Sequence, residues 1–548
     1  MSVGSAELDV LEGERAVKDV ELDGHPLDSG QRRLEELGYK QELRREFGIL
    51  SSTCAGFAST SFLLTITGLM PIAYVNGGPV AAVWGWVMVS VFTMLMALSM
   101  AEIASAYPLA GGPYFWCVEL TKNDPRYTLV AWVTGWLNVL GQVAATAGAA
   151  STAASHLGSM WMLSNGHVFT QFELFLTYAL IMLVAGVLSS TTTNGIRGFT
   201  LFSGAVLAFG GLFLIVFLPA AAPAHQSATF VFTYFRDTDQ IDLGLPSTAY
   251  LFLMGMLLSE FGFIGYEAPA QFAEETKSAD RIVPWGIVNT TALNGTFGLA
   301  YIVAILFCIQ EPDELLQGNA GGNVVAQVFW DIFEKRFGYG QGALIIMALP
   351  LVAMLNATVM SMAANTRMLW SFSRDGGVPL YRVWAAVNKY TGTPLNATWA
   401  MSALAFLIGL PMLLSNTAFI ATGALSSVGL YVSYAIPIVL RVVFRENFTP
   451  GPFRLGALQP AVNVLAVFWT GNFVCIDQAC FLLPTSYPVT DANLNWTPVT
   501  VGIVMAAVLV AWYLPKYGAA TWYRGKSHTL PDKVIVSLSL SCTSASKN

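Results

Sequence analysis

Apolar runs of about 20 residues, the length that carries a helix across a bilayer, recur along most of this chain. We place twelve, at 48–75, 79–106, 128–156, 171–190, 198–219, 248–273, 285–309, 342–372, 396–413, 417–441, 460–483 and 498–515. Hydrocarbon offers the backbone no hydrogen-bond partners, so a chain patterned this way spans as helices. The expected fold class is an all-α polytopic membrane protein with 12 transmembrane helices. Composition points the same way: 55% of residues are hydrophobic and only 11% charged. A soluble domain carries about 25% charged residues.

Charge is concentrated before the first run. Residues 1–46 hold 7 basic and 12 acidic side chains. This segment reads as a disordered cytosolic tail, with helical potential only near Gln31 to Glu46. A membrane domain is expected over 47–526, followed by a cytosolic tail at 527–548. The acidic start lacks the basic and apolar regions of a signal peptide, so the first apolar run is expected to direct insertion. With the N-terminus inside, only Arg236, Lys335 and Arg336 of the 27 basic residues fall outside. Both termini are therefore expected to be cytosolic. The net charge of −7 arises mostly in the tail and gives no sign of nucleic-acid binding. Six scattered cysteines, without a CxxC pair, predict neither a disulfide framework nor a metal site.

Two runs are interrupted. Residues Ser259 to Thr276 place Gly262, Gly265 and Pro269 close together, with the acids Glu260 and Glu267 in the same interval. Intramembrane acids usually mark a substrate or ion path. The first run contains Cys54 to Ser61, small and polar residues within an apolar span. These stretches open the first and second groups of five helices. An odd number of helices inserts the second group upside down, giving an inverted repeat with paired broken helices, the best sequence pointer to a transporter's site.

At a helix break, N–H and C=O groups lose their partners, and the half-helix ends carry partial charge. Two facing breaks suit a zwitterion, with its carboxylate on N–H groups and its ammonium on carbonyls. The candidates are Gly56, Phe57, Ala58, Ser59 and Thr60 in the first run, and Phe261, Gly262, Phe263, Gly265, Tyr266 and Glu267 in the sixth. Close helix packing is the alternative role for the small residues. Glu267 could meet an ammonium, carry a coupling proton, or complement the half-helix dipole. In the third run, Asn138 and Gln142 share a face. Weaker candidates are Asn356, Ser361, Asn365, Ser426, Ser427 and Tyr431. Glu274 and Glu275 fit a gate or loop contact, and His156 reads as an interfacial residue. No catalytic set, phosphate loop or metal cluster stands out, so no enzyme activity and no cofactor are expected.

The stretch Glu102-Ile-Ala-Ser-Ala-Tyr107-Pro108-Leu-Ala-Gly111-Gly112-Pro-Tyr-Phe-Trp116, together with Phe-Ala-Glu-Glu-Thr after the sixth-run break, closely resembles the amino acid–polyamine–organocation (APC) superfamily. Within it, the chain is similar to the eukaryotic amino acid, GABA and choline permease branch from about Phe47 to Arg524. The resemblance implies a LeuT-type five-plus-five inverted repeat with two peripheral helices. It also implies proton- or gradient-linked uptake or exchange of amino acids and related amines. Carried over by position, both breaks would hold substrate, and Glu102 to Trp116 would form a gating scaffold. Many relatives have Asp where Glu267 stands. Some proton-driven relatives have a fifth-helix Lys that Leu201 to Leu218 lacks.

The leading expectation is a secondary transporter of amino acids or GABA, coupled to H+ with Na+ left open, working in a lipid bilayer by alternating access. The plasma membrane is the default location, with vacuolar and mitochondrial membranes as alternatives. A choline or polyamine carrier is the nearest alternative substrate class. A channel or a non-transporting nutrient sensor has less support, since neither a repeated filter nor a long signalling tail is present.

Overall fold

The computed structural model describes residues 28–236, 248–312, 314–413, 416–471 and 497–527. Among them the protein is all-helical, and Phe47 and Thr276 form an isolated β-bridge. The first half contains α1 (Ser29–Glu36), α2 (Ile49–Thr60), α3 (Phe62–Val75), α4 (Gly78–Ala106), α5 (Pro113–Leu120), α6 (Thr128–Asn165), α7 (Gln171–Ser189), α8 (Thr193–Ala205) and α9 (Gly211–Ala221). The second half contains α10 (Thr248–Gly262), α11 (Ala268–Gln271), α12 (Ala279–Phe307), α13 (Val324–Phe337), α14 (Ala343–Arg374), α15 (Leu395–Gly409), α16 (Asn416–Val443), α17 (Gln459–Trp469) and α18 (Thr497–Tyr513). Nine segments among the described residues are long and apolar enough to cross a membrane. Three shorter apolar helices stand where the sixth, eleventh and twelfth runs were expected. The eleventh expected run, 460–483, lies partly outside the described residues.

Local chemistry sets several boundaries. Thr170 and Glu173 cap the start of α7 reciprocally: Glu173 N donates to Thr170 Oγ1 at 3.2 Å, and Thr170 N donates to Glu173 Oε2 at 2.7 Å. Such a pair satisfies two donors that the first turn leaves without partners. The third expected span, 128–156, continues to Asn165 because apolar residues persist and Gly166, at φ 71°, is the first to leave the helix. Between α8 and α9, Val206–Gly210 forms a π-helical turn within one continuous span.

The bundle has two distinct ends. At the clasped end, residues 28–47 lie beside the α4–α5 connection, the segment after α11 and the end of α14. At the open end, residues near 226 and 310 join the α12 terminus, and α13 lies over α3 and α6. The sequence suggested a disordered tail through residue 46, but 28–46 are packed. Leu34, Tyr39, Leu43 and Phe47 are buried. Phe47 stacks on Phe272 at 5.0 Å, and the Phe47 and Glu46 amides donate to the Glu275 carbonyl. The segment is polar by composition, yet its few apolar side chains all find cover on the bundle. Residues 1–27 and 528–548 lie outside the described residues.

Candidate functional site

Two helix interruptions face each other near the middle of the bundle. The first lies at Ser61, between α2 and α3, with φ 39°. Left-handed backbone is uncommon for a residue with a side chain. Before it, Ser59 Oγ donates to Ala55 O at 2.8 Å and Thr60 Oγ1 to Gly56 O at 3.1 Å. Hydroxyls bonded back onto the preceding turn favour bending a helix. The interruption therefore lies at the last residue of the small, polar stretch, and Gly56 to Thr60 remain helical.

The second interruption runs from Phe263 to Glu267, between α10 and α11. Gly265 takes φ 88°, a conformation that glycine enters without steric cost. A Cβ placed on it would lie 3.7 Å from the Ser59 side chain, so the two breaks approach each other closely. Among the described residues the Ile264 N–H takes no backbone partner, whereas the Gly265 N–H meets the Tyr434 hydroxyl.

A cavity of about 740 Å³ descends from the open end to these breaks. Ser59, Thr60, Phe261, Ile264, Gly265 and Ala268 line its deep part. Gln142 of α6, Ser361 of α14 and Ser426 of α16 face it as well. None of its described lining residues is an acid, a lysine or an arginine.

The structure separates the residues expected from the sequence into two groups. Ser59, Thr60, Phe261 and Gly265 line the cavity; Gly56, Phe57, Ala58, Asn138, Gly262, Phe263, Tyr266 and Glu267 do not. A Cβ on Gly56 would meet Thr290 Oγ1 at 2.2 Å, so this glycine lets α2 approach α12. Phe57 packs on Phe62 and Phe297, and Ala58 is fully buried. A Cβ on Gly262 would meet the Trp86 ring at 2.7 Å, and the Gly262 carbonyl is taken by Asn294 Nδ2 at 2.8 Å. Phe263 packs on Trp86, and Tyr266 donates to Met100 Sδ. Asn138 donates to Ser433 Oγ at 3.0 Å, holding α6 against α16.

Glu267 is wholly buried behind the cavity wall. Its Oε1 accepts from Gln142 Nε2 and, at 3.4 Å, from Gln271 Nε2. Its Oε2 accepts from Tyr434 Oη at 2.5 Å. Tyr434 was missed in the sequence, because an α16 tyrosine gives no sign of a partner 167 positions away. His156, expected at the interface, is 1% exposed and lines the cavity. Its Nε2 lies 3.2 Å from Met347 O, and its Nδ1 lies 3.3 Å from Asn323 Nδ2, the residue that caps α13.

The clasped end is shut by buried ion pairs. Arg367 Nε pairs with Glu275 Oε1 at 2.7 Å, and Arg374 pairs twice with Glu274, at 2.8 and 2.9 Å. Both guanidiniums also lie over aromatic rings: Arg367 over Phe272 at 4.8 Å, and Arg374 over Tyr39 at 4.4 Å and Trp370 at 4.5 Å. Ala110 N, in the motif between α4 and α5, donates to Glu274 Oε1 at 3.3 Å. The cavity is thus open toward one end and blocked by paired charges toward the other.

Known proteins match this chain along most of its length. A family model described as amino acid permease matches residues 47–506. An amino-acid permease BAT1 homolog of Oryza sativa subsp. japonica is 37% identical over 508 residues, covering 91% of this chain and 95% of the relative. Amino-acid permease BAT1 of Arabidopsis thaliana is 36% identical, covering 91% and 96%. A choline transporter of Saccharomyces cerevisiae is 28% identical, covering 86% and 81%. A membrane-sized helical bundle, an off-centre cavity and a match across nearly all of the spanning region lead to one assignment: the chain belongs to the amino acid permease family of the APC superfamily and is a transporter, not an enzyme.

Proposed function

We propose that this permease carries zwitterionic amino acids, GABA among them, by alternating access within a 12-helix LeuT-type five-plus-five repeat. The observation that carries the reading is the uncharged cavity ending at the Gly265 break. A zwitterion brings both charges with it, and needs donors at one end and acceptors at the other rather than a net countercharge. The Ile264 N–H at the break supplies a donor where a carboxylate would lie. Hydroxyl and carbonyl oxygens supply acceptors for an ammonium. Substrate is taken from the open end, and the Arg367–Glu275 and Arg374–Glu274 pairs hold the far end shut until it is bound. With both termini cytosolic, the open end is extracellular, or lumenal in an internal membrane. Protons are the expected coupling ion.

A choline-type cation is the second reading, motivated by the yeast relative's name. The cavity disfavours it, since its described lining holds no acid and Glu267 is covered. Uptake into proteoliposomes of the protein amino acids, GABA, choline and spermidine, with and without an inward proton gradient, separates these readings. Gradient-driven accumulation of at least one zwitterion, and of neither cation, is expected. Accumulation of choline or spermidine alone would overturn the proposal.

A further inference from the structure

We propose that Glu267 does not bind substrate but fixes the side-chain amide of Gln142, whose carbonyl oxygen accepts the substrate's ammonium group. The inference rests on the zwitterion reading of the cavity and assigns its cation-binding atom. Gln142 lines the cavity, whereas Glu267 does not and is 0% exposed. The Glu267 carboxyl accepts on both oxygens and meets a donor on each side. Gln142 Nε2 and Gln271 Nε2 reach Oε1, and Tyr434 Oη reaches Oε2. With Gln142 Nε2 donating to Glu267, the amide's Oε1 is the atom left to face away from it.

The rest of Gln142 is held equally firmly. Asn365 Nδ2 donates to the main-chain carbonyl of Gln142 at 2.9 Å and to Thr146 Oγ1 at 2.5 Å. Thr146 in turn shares a hydrogen bond of 2.8 Å with Ser361 Oγ, another cavity residue. Four elements thus aim one amide oxygen. The carboxylate behind the amide polarises it, which strengthens the acceptor, and a low-dielectric surrounding enlarges that effect. Glu267 is accordingly a positioning residue, acting on substrate through Gln142.

This arrangement selects a chemical class. A primary or secondary ammonium has N–H groups to give to Gln142 Oε1. A quaternary ammonium has none, and would leave that oxygen facing methyl groups. The site is therefore predicted to take amines that carry N–H and to discriminate against their trimethylated counterparts.

The test uses full-length protein in proteoliposomes and whichever protein amino acids or GABA the wild type accumulates, with their N-trimethyl derivatives as competitors. Gln142→Met, which keeps length and removes the acceptor, is expected to raise KM at least tenfold while leaving maximal rate within about twofold. It should also bring the affinities for amine and trimethyl forms closer together. Glu267→Gln and Tyr434→Phe should raise KM in the wild-type background and add less than twofold to the KM of Gln142→Met. A folding defect would lower maximal rate and leave the amine preference intact, so the KM split and the competitor ratio identify the positioning role. If Gln142→Met does not fold, Gln142→Asn, which withdraws the amide by one methylene, takes its place and should raise KM and narrow the amine-to-trimethyl ratio in the same way. Independent, multiplying effects of Gln142 and Glu267 would show that Glu267 binds substrate directly and would overturn the inference. So would an unchanged KM in Gln142→Met. A wild type that accumulates no zwitterion at all fails differently: it removes the zwitterion reading itself and this inference with it.

Discussion

Gly56 and Gly265 look alike in the sequence, each a glycine inside a candidate break, yet they do different work. Gly56 sits in regular helix, where a Cβ would strike Thr290 at 2.2 Å. Gly265 sits at φ 88°, with 3.7 Å of clearance to Ser59. Gly56→Ala is an overpacking change, of a kind that costs about 1–3 kcal/mol. It should lower the melting temperature, and Thr290→Ala in the same chain should restore it. Gly265→Ala meets no clash but forces an alanine into left-handed backbone, at a cost of roughly 1–2 kcal/mol. It should cut uptake, and no change at position 290 should rescue it. If Thr290→Ala rescues both variants, or neither, the distinction fails. The sequence showed that small residues were needed in both stretches. It did not show which face each small residue presents, because that depends on a partner helix more than 200 positions away. Ser59, Thr60, Phe261 and Gly265, taken from the two breaks, line the cavity, while nothing in the sequence pointed to Tyr434, 167 positions from Glu267.

At the level of elements, the spans were legible because bilayer thickness fixes the length of an apolar run. Their pairing was not. Arg367 and Arg374 lie on α14, within and just at the end of an otherwise apolar run, and nothing around them names Glu275 and Glu274 as partners. Glu274 and Glu275 could be read as gate or loop residues from their place after the sixth-run break, but the cations opposite them could not. Both pairs are buried, with Arg367 and Glu275 wholly so. Removing one member of a buried pair commonly costs about 3–5 kcal/mol, because the other charge is left uncompensated. Glu275→Gln alone should therefore lower the yield of folded protein sharply. Replacing both members, as Arg367→Met with Glu275→Met, should recover most of that yield while weakening closure of the clasped end. The readout is labelling of a cysteine introduced at Ala364, on the cavity wall, by a membrane-impermeant thiol reagent applied from the clasped side. Labelling should be slow in the parent and faster in the double variant. Equal labelling rates in both would show that the pair contributes stability without acting as a gate.

For the whole molecule, the clasped end is a point where distant parts of the chain meet on one carboxylate. Asp375, just beyond the end of α14, accepts from Tyr39 Oη at 2.8 Å and from Tyr114 Oη at 3.0 Å. It also accepts from Ser527 N at 3.3 Å. The N-terminal segment, the α4–α5 motif, the end of α14 and the last described residues are thereby tied together. The groups around Asp375 are Arg374, Tyr39, Tyr114 and Tyr523, and burial raises all three tyrosines above their ordinary range. Burial also pushes Asp375 up to about 6 from an ordinary 3.8, against the opposing pull of Arg374 and the hydrogen bonds. Once Asp375 is exposed by opening, its pKa returns toward the ordinary value. The closed clasp therefore binds more protons than the open one between 3.8 and about 6. Its stabilisation is complete below that window and is lost as pH rises through about 6. At roughly 1.4 kcal/mol per pKa unit, the full effect is at most about 3 kcal/mol. Hydrogen exchange of residues 28–47, corrected for the intrinsic pH dependence of amide exchange, should show greater protection at pH 5.5 than at pH 7.5. Asp375→Asn, which keeps the side chain neutral, should remove that difference and leave the segment protected at both values. Equal corrected protection of the wild type at the two pH values would mean that Asp375 does not control the clasp.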